Sequence, residues 1–175
     1  MMDIIDPKED AAAFAKMATV LRVDVFKLGD KGLALGKGKD RARLYLENRQ
    51  YDGVYDLEVH SEREFMHHRN SGLNQVLCKI AHDKDKVVVF DVGAILGAAG
   101  RQRALLLGRM QQNVRLCRKY KVTMSLATFA KTPYQMRREE EIIVIGQLLG
   151  MTAAEAKQAT QTIGRRLKSI KQQSL

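Results

Sequence analysis

Apolar and polar positions along the chain alternate between short β-branched runs and stretches of helical period. Six runs predict strands: "MDII" (2–5), "LRVDVFKL" (21–28), "ARLYLE" (42–47), "GVYDLEV" (53–59), "KVVVFDV" (86–92) and "VTMSLAT" (122–128). Five stretches predict helices: Lys8–Thr19, a segment running from Leu73 to about 82, Arg101–Tyr120, 133–150 and 152–173. The Gly/Lys-rich "KGLALGKGKD" (31–40) predicts a loop. Strand–helix alternation predicts an α/β fold with a parallel sheet, either open or closed into a barrel.

The helix boundaries carry their own signals. Pro133 suits the start of a helix, and Thr152 with Glu155 forms the T-x-x-E pattern of a capping box. Gly150 separates the last two helices, as expected for a glycine that ends a helix. Asn70 or Ser71 is a plausible N-cap for the helix that follows.

Length and composition predict one domain, 1–175, with a polar tail from about residue 168. No apolar run approaches eighteen residues, so a membrane span is not expected. The N-terminus is acidic and lacks the basic and apolar segments of a secretion signal. Two cysteines, Cys78 and Cys117, are typical of a reduced protein. Together these features predict a cytoplasmic protein.

Positive charge is concentrated in one part of the chain. The net charge is +10, yet the first hundred residues carry fifteen basic and sixteen acidic groups. Residues 101–140 hold ten Lys and Arg against two Glu, a local net charge of +8. An excess of this size favours a polyanionic partner such as a nucleic acid. A solvated basic face without a partner is the alternative.

The predicted helix Arg101–Tyr120 separates an apolar side from a basic one. The apolar side holds Leu106, Leu107, Met110, Val114 and Cys117. The basic side holds Arg101, Gly108, Gln112, Arg115 and Lys119, with Arg109 and Asn113 at one flank. Guanidinium and amide groups suit contacts to phosphate and sugar, and a glycine among them would let a nucleic-acid backbone approach closely. An ordinary amphipathic surface helix is the alternative.

The stretch "FMHHRNSGLNQVLCKIAH" (65–82) holds three of the four histidines and Cys78, which raises the question of a metal site. The spacing argues against one. Cys78 and His82 are four residues apart on a predicted helix, and His67 and His68 are adjacent and point in different directions. The chain contains none of the motifs C-x-x-C, H-E-x-x-H or H-x-x-x-H. Cys78 is therefore predicted to be a buried core residue, and no metal ligand is expected.

The same stretch favours an anion site instead. Arg69 precedes a helix N-terminus, where free backbone N–H groups and the helix dipole attract phosphate. Asn74 adds a neutral donor, Gly72 permits close backbone approach, and Lys79 lies within the helix. A helix cap beside a solvent-exposed arginine is the alternative.

Four segments in order, "HRNSGLNQVLCKIA", "GRMQQNVRLCRKYKV", "ATFAKTPYQMR" and "LLGMTAAEAK", resemble archaeal ribonuclease P protein component 3, a family related to the eukaryotic p30 subunit. The resemblance covers about 51–159. It implies a TIM-barrel-like fold related to PHP-type phosphoesterases. It also implies a non-catalytic RNA-binding subunit of ribonuclease P, with no active site in this chain. The catalytic RNA would then carry out the 5′ maturation of precursor tRNA with Mg²⁺.

The partners implied by the resemblance are the ribonuclease P RNA, precursor tRNA within the holoenzyme, a small ferredoxin-like subunit forming a heterotetramer, and other ribonuclease P proteins. The RNA contacts implied by the matching motifs are Arg69, Asn74, Lys79, Arg109, Asn113, Arg115, Arg118, Lys119, Lys131 and Arg137. The charged face of the long helix adds Arg101. Arg137 is preferred over Arg138 because "MRREEE" continues into a glutamate run that repels RNA.

Three alternatives stay open. Six predicted strands leave an incomplete barrel as one possibility. A metal-dependent PHP-type phosphoesterase is another, with an irregular site drawn from His60, His67, His82, Asp56 and Asp91. The absence of H-x-H from the first strand, "MDIIDP", argues against it. The third is a basic module that binds a different RNA or DNA.

Overall fold

The computed structural model describes residues 1–7 and 11–173. The strands in this part of the chain are β1 (Met2–Ile5), β2 (Asp24–Lys27), β3 (Leu35–Lys37), β4 (Gly53–Tyr55), β5 (Val87–Asp91) and β6 (Thr123–Ala127). The α-helices are α1 (Ala11–Leu21), α2 (Ala42–Glu47), α3 (Gln75–Asp83), α4 (Val92–Gly97), α5 (Gly100–Tyr120), α6 (Glu139–Leu148) and α7 (Ala153–Gln173). A 3₁₀ helix spans Pro133–Gln135. The protein is therefore α/β with parallel sheets and surrounding helices.

The chain divides into two compact units. The first unit comprises Met1–Leu33, Asp91–Gly93 and Ser125–Leu175. Its sheet pairs β1 with β2 in parallel, and a parallel bridge joins Ile5 to Ala130. Phe14 and Ala18 of α1 pack against this sheet in a core cluster with Ile5, Ala130 and Met136. Met17 and Leu21 of α1 are partly buried against the same cluster, so four positions of the helix contribute to this core.

Asp3 is a buried carboxylate in the first unit, on β1. Its oxygens accept hydrogen bonds from the Thr128 backbone N–H at 2.7 Å and from the Thr128 hydroxyl at 2.5 Å. Burial raises the pKa of Asp3 to about 6, while the bonds from Thr128 act in the opposite direction. The strand β1 is thus fixed to the segment after β6 by a polar link.

The second unit comprises Ala34–Phe90 and Ala94–Met124. Strands β3, β4 and β5 pair in parallel, and the sheet order is β3-β4-β5-β6. Gly53 is required on β4, because a Cβ there would lie 2.1 Å from the carbonyl oxygen of Val87. Cys78 on α3 and Cys117 on α5 are buried free thiols, as predicted for Cys78.

Most of the predicted elements are confirmed. The structure contains β5, β6, α5 and α7 where the sequence predicts them, and the Thr152–Glu155 capping box is formed by two hydrogen bonds of 2.7 and 3.1 Å. The residues from about 168, predicted as a polar tail, are helical as far as Gln173. The single domain stays a prediction, since the chain passes repeatedly between the two units.

The prediction of a strand over "ARLYLE" is wrong, because this segment is helix α2. Its buried residues, Ala42 and Leu46, are four positions apart, which is the helical spacing, whereas Leu44 between them is 55% exposed. The predicted loop 31–40 contains strand β3. One strand is lost and one is gained, so the described residues still form six.

Several boundaries differ from the predictions. The predicted helix start at Lys8 lies outside the described residues. The strand at 53–59 ends at Tyr55, and Pro133 begins a 3₁₀ helix rather than α6. Among the described residues, no helix is long and apolar enough to cross a membrane.

Candidate nucleic-acid interface

Helix α5 and the loop before α3 form the candidate site, and both belong to the second unit. The loop, residues 56–74, connects β4 to α3 and is here called the clamped loop. Nineteen residues without regular structure are uncommon between two elements and are often functional. Helix α5 buries one face as predicted, through Leu106, Met110, Val114 and Cys117. Other faces of this helix contact the clamped loop and the solvent.

Arg109 holds the clamped loop against α5. Its side chain is almost fully buried, at 3% exposure. Nη1 donates to the carbonyl oxygens of Glu58 at 2.8 Å and His60 at 2.9 Å, and Nη2 donates to that of Glu62 at 2.9 Å. Nε donates to the Glu64 carboxylate at 2.6 Å. The fork geometry of a guanidinium satisfies four acceptors at once, which an ammonium group would not reproduce.

Two amides extend the attachment along the same side of α5. Asn113 is fully buried and donates through Nδ2 to the Glu58 carboxylate at 2.6 Å and to the Ser71 carbonyl at 2.7 Å. Gln112 accepts from the Arg69 backbone N–H and donates to the Arg69 carbonyl, both at 2.8 Å. Arg109, Gln112 and Asn113 thus form one polar stripe at i, i+3 and i+4.

Asn70 closes the clamped loop from within. Its Nδ2 donates to the Glu62 carboxylate at 3.0 Å, and its backbone N–H donates to Glu64 at 3.0 Å. The carbonyl of Asn70 accepts from His60 Nε2 at 2.8 Å, so that nitrogen carries the proton in the neutral ring. Lys39 forms an ion pair with Glu62. The loop is therefore ordered by side-chain hydrogen bonds in place of secondary structure.

These contacts also set the protonation of the loop. Hydrogen bonds from Lys39 and Asn70 hold the pKa of Glu62 below its usual range. Burial acts to raise the pKa of Glu64, but the bonds from Arg109 and Asn70 outweigh it and the pKa is lowered. Burial lowers the pKa of His60. Both glutamates are consequently ionised at neutral pH, and each is paired with a cation, Glu62 with Lys39 and Glu64 with Arg109.

Exposed cations remain on the outer side of α5 and α3. They are Arg101, Arg115, Arg118 and Lys119 on α5 and Lys79 on α3. Among the residues that the structure describes, no carboxylate pairs with Arg101, Arg115 or Lys119. Because Glu62 and Glu64 are each offset by a paired cation, the exposed cations of α5 leave a net positive charge that suits a polyanion.

Arg69 joins this exposed set through Gly108. Its backbone is fixed by Gln112, and its side chain lies over Gly108, where a Cβ would be 3.0 Å from Nε of Arg69. The sequence predicts that Gly108 gives room to a nucleic-acid backbone, whereas in the structure it gives room to a guanidinium. The exposed Arg69 is consequently carried on the same face of α5 as Arg115 and Lys119.

Other predicted RNA contacts have structural roles. Arg109 and Asn113 are buried, so a direct contact with RNA would require the network on the clamped loop to open. Asn74 is the N-cap of α3, accepting from the Leu77 N–H at 2.9 Å, and the prediction of Asn70 or Ser71 as that cap is wrong. Asn74 is nevertheless exposed. The RNA contacts at these positions stay predictions.

Lys131 and Arg137 lie in the first unit. Lys131 is exposed. Arg137 is half-buried and donates through Nη1 to the carbonyls of Tyr134 at 2.9 Å and Met136 at 2.8 Å. A cavity of about 610 Å³ lies beside it, lined by Leu21, Met136, Arg137, Arg138, Glu140 and Glu141. Two of its six lining residues are glutamates, which makes it a poor match to RNA phosphate.

A known protein family matches the part of the chain that contains these contacts. The family model of RNase P subunit p30 matches residues 59–173, more than half of the chain. The chain belongs to the RNase P subunit p30 family. The matched region starts within the clamped loop and contains α3, α5 and every predicted RNA contact.

Individual relatives of this p30-family chain are archaeal. Ribonuclease P protein component 3 of Methanosarcina barkeri is 31% identical over 99 residues, which is 57% of this chain and 41% of the relative. The same protein of Methanosarcina acetivorans is 32% identical over 54% of this chain and 40% of the relative. The same protein of Methanococcoides burtonii is 34% identical over 50% of this chain and 36% of the relative. The chain thus matches about two fifths of the length of these curated relatives.

The fold is similar to that of a chain in a cryo-EM structure of archaeal ribonuclease P with mature tRNA. The TM-score is 0.72 at 15% identity, covering 97% of this chain and 80% of that chain. A similarity at this identity shows the fold and does not identify the residues of an interface.

Three of the five residues predicted for a PHP-type metal site have separate partners in this p30-family chain. His60 bonds to Asn70, His82 Nδ1 lies 3.1 Å from the Lys121 carbonyl, and Asp56 pairs with Lys37 at 3.5 Å. The described residues contain no group of three or more His, Cys, Asp or Glu placed to hold a metal ion.

Sequence reasoning missed the partners inside the clamped loop. The sequence predicts only a loop at Lys39, and it gives no signal for the roles of Glu58, Glu62 and Glu64. The stripe of Arg109, Gln112 and Asn113 at helical spacing was a usable signal, because three polar residues beside an apolar face require partners when they are buried. Its partners were not deducible, since they are 42 to 55 residues away in the chain.

Proposed function

We propose that this chain is a non-catalytic RNA-binding protein subunit of ribonuclease P, which supports the catalytic RNA in the 5′ maturation of precursor tRNA. Membership of the p30 family supports assembly into ribonuclease P, and the exposed cations of the second unit support contact with RNA. The observation that carries the proposal is the division of charge. Glu62 and Glu64 of the clamped loop are paired with Lys39 and Arg109. The side chains of Arg69, Arg101, Arg115 and Lys119 are exposed.

The chemistry of this surface fits a phosphate backbone better than a small anion. The cations are spread along α5 from residue 101 to residue 119, a distance of about 27 Å at the helical rise of 1.5 Å per residue. Adjacent phosphates along a strand of nucleic acid would meet several of them in turn. Each neutralised phosphate releases counterions, so the binding is expected to weaken steeply with salt.

Catalysis belongs to the RNA in this proposal, and Mg²⁺ serves the RNA-catalysed reaction. The role of this chain is to reduce repulsion between RNA segments by supplying cations at fixed positions. The further RNA contacts at Lys79, Arg118, Lys131, Arg137, Asn74, Arg109 and Asn113 belong to the same proposal. The contacts of Arg109 and Asn113 support a role in holding the clamped loop in place.

The proposed partners are the ribonuclease P RNA, precursor tRNA within the holoenzyme, a small ferredoxin-like subunit in a heterotetramer, and other ribonuclease P proteins, in the cytoplasm. Family membership supports this set. The TIM-barrel-like, PHP-related arrangement is also proposed, supported by parallel strands that alternate with helices and by the similarity over 97% of the chain.

Crosslinking in cells followed by sequencing tests the proposal. The full chain is crosslinked to RNA and purified, and the bound RNA is identified. Enrichment of ribonuclease P RNA over ribosomal RNA is expected, and Arg115→Ala together with Lys119→Ala is expected to reduce it. Recovery of a different RNA as the main species would overturn the assignment to ribonuclease P and favour a basic module for that RNA.

A further inference from the structure

The tip of the clamped loop, Phe65–His68, has exposed aromatic rings and is followed directly by the exposed Arg69. Phe65 is 54% exposed and Met66 is 91% exposed, and His67 and His68 are exposed as well. The Phe65 and His68 rings lie with centroids 4.7 Å apart and planes inclined at 35°. Single exposed apolar residues are ordinary, but two exposed rings in contact form a small aromatic surface that solvent can reach.

The tip is fixed on both sides. Before it, Glu64 accepts from Arg109 and from the backbone N–H of Asn70. After it, the backbone N–H and carbonyl of Arg69 are both bonded to Gln112. Only four residues lie between these anchors, so little conformational freedom is lost when a ligand binds.

The positive charge beside the tip limits the classes of ligand that fit it. Arg69 follows His68 directly, and its side chain lies over Gly108 on the face of α5 that carries Arg115 and Lys119. A ligand that stacks on the rings therefore has its attached groups within reach of cations. A nucleotide combines a flat aromatic base with a phosphate, whereas an apolar protein surface has no use for the neighbouring charge.

We propose that the tip Phe65–His68 is a stacking platform for an unpaired nucleobase of the bound RNA, with Arg69 and the cations of α5 holding the adjoining phosphates. This inference rests on the proposed function and adds the class of RNA element that is recognised. Bases in an A-form helix are stacked on their neighbours and their deep groove does not admit side chains. The platform therefore selects a bulge, a loop or a single strand.

The chain has no tryptophan, which permits a direct optical test. Phe65→Trp keeps a π-face at the tip and introduces a single indole. We expect its fluorescence to be quenched on addition of ribonuclease P RNA or a single-stranded oligonucleotide, and to change little with a perfect RNA duplex. The matched control is Val144→Trp on α6, which is 63% exposed and adjacent to the glutamates that begin that helix. Equal quenching of both variants, or no quenching at Phe65→Trp, would overturn the platform.

Affinity measurements with the full chain complete the test. Phe65→Ala is expected to weaken binding of the single-stranded probe about 5- to 100-fold, the range found for the loss of one stacked base. Phe65→Leu keeps apolar area without a π-face and is expected to resemble Phe65→Ala, while Phe65→Trp binds as the wild type does. Circular dichroism and a thermal melt confirm that each variant folds, as expected for an exposed position.

The outcomes separate this inference from the proposed function. If Arg115→Ala weakens RNA binding while Phe65→Ala and Phe65→Leu do not, the platform is refuted and the RNA-binding role stands. If Phe65→Ala leaves RNA binding intact but weakens association with another ribonuclease P protein, the tip is a protein contact and the inference is wrong. If the wild-type chain binds no RNA, both proposals fail.

Discussion

The guanidinium of Arg109 bonds three backbone carbonyls and one carboxylate of the clamped loop, although it lies on the helix with the highest local positive charge. Its neighbour Arg115, six residues further along α5, is exposed. The two arginines differ in what surrounds them. A buried donor with four acceptors contributes to folding, whereas an exposed one of equal charge is available to a ligand.

This difference predicts that the same substitution, arginine to alanine, lowers stability strongly at position 109 and hardly at all at position 115. Arg109→Ala leaves three carbonyls and the Glu64 carboxylate without their donor, and we expect the free energy of unfolding to fall by about 2–4 kcal/mol. Arg115→Ala is expected to change it by less than about 0.5 kcal/mol. Chemical denaturation monitored by circular dichroism measures both. Equal stability of the two variants would show that the attachment of the clamped loop contributes little.

Asp3 predicts a dependence of stability on pH. Its pKa is about 6 in the folded chain and 3.8 without burial, so folding favours the protonated form. The corresponding stability is fully present below pH 3.8 and is lost as the pH rises through 6. The loss reaches about 3 kcal/mol above pH 6, at about 1.4 kcal/mol per pKa unit.

Asp3→Asn removes this titration while an amide can still accept from the Thr128 N–H and donate to its hydroxyl. We therefore expect the variant to gain stability relative to the wild type between pH 4 and pH 7. Thermal unfolding across this range measures the difference, with Asp30→Asn at an exposed position as the control. A difference between Asp3→Asn and the wild type that does not vary with pH would contradict the raised pKa.

At the scale of elements, the core pattern of α5 was predictable and its polar attachments were not. Four of the five residues predicted for the apolar side of α5 are buried, and Leu107 is half-buried. This part was predictable because burial of one face is a local property of the sequence. The position of the clamped loop on α5 depends on pairings across more than forty residues. Segment 42–47 shows the second limit, since six residues of mixed polarity fit either period and only the surrounding packing selects the helix.

Gly108 gives a prediction at this scale, because it affects the helix and the surface in opposite directions. Gly108→Ala adds a good helix former within α5 and is expected to raise stability by up to about 1 kcal/mol. The new Cβ displaces the Arg69 side chain, which it would meet at 3.0 Å, and RNA affinity is expected to fall. Denaturation and RNA titration measure the two effects.

The control for this variant is Gly146→Ala on α6. A Cβ there would lie 2.8 Å from Leu126 Cδ1 and 2.9 Å from the Ala156 Cβ, so this substitution is expected to destabilise the chain. If Gly108→Ala binds RNA as tightly as the wild type, the position of Arg69 over Gly108 is unimportant for the contact.

At the scale of the whole molecule, the proposed role depends on charge. The chain carries a net charge of +10, and residues 101–140 contribute +8 of it. In the proposed role, the fixed cations of this chain replace part of the dissolved Mg²⁺ that the RNA needs. The chain is then expected to have its largest effect on the holoenzyme when Mg²⁺ is scarce and a small one when Mg²⁺ is abundant.

The most direct measurement of this claim is precursor-tRNA cleavage by ribonuclease P reconstituted from its RNA and protein subunits, titrated with Mg²⁺. Three assemblies are compared: with the wild-type chain, with the Arg115→Ala/Lys119→Ala variant, and without the chain. The account predicts the lowest Mg²⁺ requirement with the wild-type chain, a higher one with the variant, and the highest without the chain. Cleavage that is the same in all three assemblies at every Mg²⁺ concentration would contradict it.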